Sequence, residues 1–159
     1  MTKLEDMSEP ERQSWLTLLA DGAVFIYVWQ KMTQGFGFKA QSFSPDEIGE
    51  IFLGVVIVTV ILHASIAAIF DMRKRKDPFE EDERDVRITG HGNDIGYKAL
   101  QFGVGAIIIT LVLQYIVGDD FQSPFSVIEP VEMIFALCVI SYIADLLKHG
   151  LQIYHYRQS

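Results

Sequence analysis

Residues 48–70 form an almost unbroken apolar run, and such a run has few structural options. As a helix rising about 1.5 Å per residue, it spans the roughly 30 Å hydrocarbon core of a bilayer. Inside lipid the backbone must satisfy its own hydrogen bonds, and a single apolar segment does so as a helix. Two further blocks, 95–117 and 130–151, repeat the pattern, and a weaker one covers 15–32. The chain has 159 residues, 50% of them hydrophobic, which leaves room for one domain only. The expected fold is all-α: a four-transmembrane-helix bundle, made of two helical hairpins joined by a charged cytoplasmic linker at 71–94.

Local signals punctuate these blocks. Ser44, Pro45, Asp46 and Glu47 read as a helix start, with a cap, a proline at the first helical position and acids in the first turn. Pro78 stops continuation of the second helix. Gly90, His91 and Gly92 read as a turn, after which Asn93 or Asp94 would cap the third helix. Gly118, Asp119, Asp120, Ser123 and Pro124 mark the loop before the fourth. Trp15 and Trp29 sit near the ends of the first block, where aromatic belts lie. Residues 152–159, with Tyr154, His155, Tyr156 and Arg157, form an amphipathic tail expected at the interface.

Orientation follows from basic residues in short loops. The linker after Phe70 carries Arg73, Lys74, Arg75, Lys76, Arg84 and Arg87, while 118–129 carries no Lys or Arg. The first loop has Lys39, with Lys31 at its edge. The positive-inside rule places the linker and both termini in the cytoplasm, and a bacterial inner membrane fits this multi-pass layout. The N-terminus is polar and acidic, without the features of a cleaved signal peptide, so the first block is expected to stay in the mature protein. A net charge of -8 argues against nucleic acid as a partner. The lone Cys138, inside an apolar run, supplies neither a disulfide framework nor a zinc site.

Ionisable groups inside a span are costly and each needs a reason. Asp21, His63 and Asp145 lie at matched depths, roughly 9–10 Å from the cytoplasmic ends of their helices at 1.5 Å per residue. Lys98 lies slightly shallower on the third helix. Brought together, the four could relay protons or hold a cation, or simply neutralise one another and fix helix register. His149, four residues after Asp145, shares its helical face, and with Lys148 it reads as a salt-bridged helix end. Near the outer ends of the spans, Lys31 could pair with Glu50 or Glu132, with Gln114 close by. Small residues four apart, Ala64 with Ala68 and Ala99 with Gly103, mark faces for close helix packing. HExxH, CxxC, phosphate-loop and nucleophile-elbow patterns are missing, so no metal, cofactor or catalytic group is expected.

Asp82-Glu83-Arg84-Asp85, followed by Ile88 and Ile95-Gly96-Tyr97, resembles the DER-containing segment of small uncharacterised prokaryotic membrane proteins grouped as a domain of unknown function. The resemblance implies one helical hairpin before this motif and another after it. It brings no activity or site residues. The glycines at 90 and 92 depart from the more continuous helix of that family.

Two functions remain in view. The leading expectation is a non-enzymatic membrane protein that docks a cytosolic or membrane partner through the charged motif Asp82, Glu83, Arg84 and Asp85. The alternative is a small transporter or channel for protons or a cation past Asp21, His63 and Asp145. Four short helices enclose little space, so that reading calls for a homo-oligomer. A membrane enzyme ranks last.

Overall fold

The computed structural model describes residues 7–33, 35, 37, 40–76, 82–118 and 129–158. Lys39, residues 77–81 of the linker, and Asp119, Asp120, Ser123 and Pro124 of the last loop lie outside that set, as do the side chains of Lys74 and Lys76. The regular elements among the described residues are four helices: α1 (Glu9–Thr33), α2 (Pro45–Lys76), α3 (Glu83–Val117) and α4 (Pro130–Gln158). Three of these, α2, α3 and α4, are long and apolar enough to cross a membrane.

Each helix is longer than its apolar block because polar and charged residues extend it at its ends. The start of α2 is as expected. Ser44 Oγ and Glu47 exchange bonds, with the Ser44 amide and hydroxyl donating to Glu47 Oε2 at 2.9 and 2.8 Å. This is a capping box at the first turn.

The start of α3 is not where the sequence placed it. Residues 90–92 are helical rather than a turn, and α3 begins at Glu83, not after Asn93 or Asp94. Its cap is Asp82, whose carboxylate accepts the Asp85 amide at 2.7 Å. Two glycines cost helix propensity, about 1 kcal/mol each. Packing explains why the helix persists, since Gly92 is buried directly under Gln152 of α4. At the other end, Gly118 stops α3 with φ at 70°, and its amide bonds back to the Gln114 carbonyl.

The helices pack in the order α2, α1, α4, α3, so α1 and α4 form the centre and α2 and α3 the flanks. The main apolar core lies where α1, α2 and α4 meet, around Val24, Val28, Met32, Val55, Phe135, Val139 and Tyr142. Trp29 bridges its layers, edge-on to Phe25 at 5.4 Å and to Phe135 at 5.6 Å.

On the far side, α3 approaches α4 through Gly92, Gly96 and Gly103. A methyl group at Gly96 would meet Lys148 Cβ at 3.0 Å and the Ala144 carbonyl at 3.2 Å, and one at Gly103 would run into Ile140. Gly103 therefore plays the close-packing role expected of it. Ala64 and Ala68 do not: both are exposed, because no helix among the described residues covers that face of α2.

Candidate functional site

Asp21 is the largest fully buried side chain among the described residues, 2% exposed, at the middle of α1. Its Oδ1 lies 3.3 Å from His63 Nε2 on α2. The other ring nitrogen, Nδ1, lies 2.9 Å from the Thr59 carbonyl one turn earlier. A carbonyl oxygen can only accept, so Nδ1 carries a proton. Nε2 then meets a carboxylate, and the contact is a hydrogen bond only if one proton sits between them. A proton between Nε2 and Oδ1 would make the pair either imidazolium with carboxylate or neutral imidazole with carboxylic acid. Asp21 Oδ2 is buried without a hydrogen-bond partner among the described residues. Beside the pair, Thr59 Oγ1 and Tyr142 Oη are 3.1 Å apart and tie α2 to α4.

The depth match between Asp21 and His63 thus becomes a contact, and Asp145 and Lys148 lie within electrostatic range of Asp21 without a hydrogen bond to it, whereas Lys98 points elsewhere. Asp145 is exposed rather than interior. At about 100° per residue it falls between two packed rows of α4, one carrying Tyr142 and His149, the other Ala144 and Lys148. It borders a cleft of about 230 Å³ with Tyr97, Ser141 and Lys148. Lys98 is on the outer face of α3, 68% exposed, and pairs with Asp94 at 2.6 Å instead. Its position is two residues on from Gly96, about 200° around the helix from the α4 contact. The ion pairs among the described residues do not join Lys31 to Glu50 or Glu132.

His149 belongs to a second polar cluster, not to a pairing with Asp145. Its Nδ1 lies 3.1 Å from Oε1 of Gln152, which is 3% exposed. The same oxygen lies 3.0 Å from the Ser14 hydroxyl of α1. Gln152 Nε2 reaches the Thr89 carbonyl of α3 at 3.5 Å. One amide thus touches α1, α3 and α4, and Gly92 leaves the space it occupies. Further contacts clamp the same end: Arg84 donates to the Tyr156 carbonyl at 3.2 Å, and Arg157 pairs with Glu11 at 3.4 Å while its guanidinium lies 5.5 Å from the Trp15 ring centre. His91 and His155 meet edge to face at 5.1 Å. Sequence reading missed Ser14 and Gln152. The available signal was Gly92, a small residue level with a polar one on the neighbouring helix.

Comparison with known proteins finds no matching family, no characterised relative and no similar solved structure. The site must therefore be read from its own chemistry. Among the described residues no group of three or more His, Cys, Asp or Glu could hold a metal ion.

Gln152→Leu is expected to cost about 1–3 kcal/mol, because it keeps the volume but removes the partner of the His149 ring and of the Thr89 carbonyl, while the Ser14 hydroxyl keeps the Pro10 carbonyl. Thermal unfolding in detergent checks this, with Gln152→Glu as a partner variant that preserves an acceptor for the Ser14 hydroxyl and the His149 ring.

Proposed function

We propose that the chain is a non-enzymatic, four-span integral membrane protein that works by docking a protein partner on the end where α3 begins. The observation that supports this reading best is the clamp built around Gln152. It fixes the ends of α1, α3 and α4 against one another, leaving the first turns of α3 as a rigid charged platform. Within the motif, Asp82 and Arg84 already have structural work, as cap and as tie to α4. Glu83, Arg87 and the apolar Val86, 59% exposed, face outward. Charge flanking an apolar residue suits specific docking, where complementary charge sets orientation and on-rate. Replacing Glu83 and Arg87 with alanine should leave unfolding within about 1 kcal/mol of wild type, as exposed charges contribute little. A photo-crosslinker at Val86 should give one discrete adduct in membranes that the double variant loses. A smear of adducts, unchanged in the variant, would sink the reading.

In this arrangement α1 is the fourth span and both termini are cytoplasmic, following the basic run after Phe70. In a Cys138→Ser background, a cysteine at Glu129 should react with an impermeant reagent from outside and one at Glu83 should not. The opposite pattern overturns the orientation.

A second reading has its own support. The Asp21–His63 pair lies in a segment flanked by apolar core, and the His63 side chain is 43% exposed. A proton- or cation-conducting oligomer would use such a group. In liposomes, Asp21→Asn should then reduce proton flux at least tenfold. Flux no higher than in empty liposomes rejects conduction and leaves the docking reading in place.

A further inference from the structure

Between α1 and α2, at the end where Glu9 and Lys76 lie, is a cleft of about 550 Å³. Its walls are Trp15 and Leu19 of α1 and Ile69 and Phe70 of α2, with Arg12 and Arg73 on the same rim. We propose that this cleft binds one anionic phospholipid, with an acyl chain between the helices and the phosphate on Arg73. The inference rests on α2 being a membrane span.

Three observations meet at this place. The lining between the helices is apolar, made by Trp15, Leu16, Leu19, Ile69 and Phe70. Leu19, 63% exposed, has no protein surface over most of its side chain. The rim is cationic: Arg73, 58% exposed, shares Glu9 Oε1 with Arg12, so two guanidinium groups face one carboxylate oxygen, at 3.5 and 2.8 Å. Arg73 also opens the run Arg73, Lys74, Arg75 and Lys76, directly after the apolar block that ends at Phe70. A phosphodiester at the membrane surface lies at the level where such a run begins, and guanidinium offers it paired N–H donors. A zwitterionic headgroup would bring its own cation to the same rim, so the charge pattern selects an anionic lipid.

The test is native mass spectrometry of the delipidated protein in detergent, with phosphatidylglycerol or phosphatidylcholine added at equal concentration. Wild type should retain a single phosphatidylglycerol in preference to phosphatidylcholine. Arg73→Gln should weaken phosphatidylglycerol retention about fivefold, the scale of one basic residue near a charged surface. Leu19→Trp, which keeps the charge and fills the cleft, should reduce retention of both lipids. Lys98→Gln removes a cation on another helix and should change nothing. Excess inorganic phosphate should not displace the lipid. Equal retention by wild type and Arg73→Gln, an equal loss in Lys98→Gln, or displacement by phosphate would each overturn the site. Extraction of the chain by alkali without detergent would instead remove the membrane reading on which it rests.

Discussion

His63→Ala is expected to destabilise the protein by about 2–3 kcal/mol, by stranding a carboxylate that is 2% exposed. Breaking a fully buried pair costs roughly 3–5 kcal/mol. The lower figure applies because the His63 side chain is 43% exposed and keeps part of its solvation in the pair. The informative comparison is the double variant. Asp21→Leu with His63→Leu removes both ionisable groups and should recover most of the loss, since a buried pair is often no more stable than well-packed apolar residues. Asp21→Asn should fall between, because an amide still fills the space and still hydrogen-bonds the ring. Reversible unfolding in mixed micelles, read as a double-mutant cycle, measures the coupling directly. If His63→Ala and the double variant lose the same stability, the pair is not what fastens α2 to α1.

The second large effect is expected at the α3–α4 seam. Gly103→Leu should cost about 3 kcal/mol, the upper end for overpacking, because even a first carbon at that position meets the Ile140 side chain. Gly96→Leu should cost a similar amount, since one of its neighbours is the Ala144 backbone carbonyl, which cannot rotate away. Gly105→Leu provides the contrast. Nothing lies within 4 Å of a carbon added there, and the substitution should be neutral or slightly stabilising through helix propensity. Ala64→Leu on α2 should be equally mild, because that face is uncovered. A uniform loss across all four variants, by thermal unfolding, would mean that α3 and α4 do not pack through this stripe.

The capping box at Ser44 and Glu47 is expected to matter locally rather than globally. Bonds from the Ser44 amide and hydroxyl hold the Glu47 carboxyl below the usual carboxylate range. A depressed value means that its contribution is present above the ordinary carboxylate pKa and fades as pH falls through the lowered one. The group is fully exposed, so the effect belongs to fraying of the first turn of α2.

Helical class, the positions of α2 and α4 and the end of α3 were legible from the chain alone. Apolar length leaves a backbone in lipid no alternative to helix, and neighbours are not needed to decide it. The start of α2 was legible for a similar reason, because a capping box closes within four residues. Asp21 and His63 could be matched by depth, since a helix converts residue number into distance along its axis.

What only the tertiary structure decided was rotation and neighbourhood. Asp145 has the right depth but the wrong angle, and about 100° per residue moves it from interior to cleft. Lys98 turns outward to Asp94 for the same reason. Ala64–Ala68 and Ala99–Gly103 are equivalent as sequence patterns, yet only the α3 pattern is at a packed seam. Gly90-His91-Gly92 reads as a turn by local propensity, and Gln152 of another helix, lying against Gly92, keeps it helical. Propensity and periodicity act along one helix, whereas which side of it is covered depends on contacts between residues far apart in the chain.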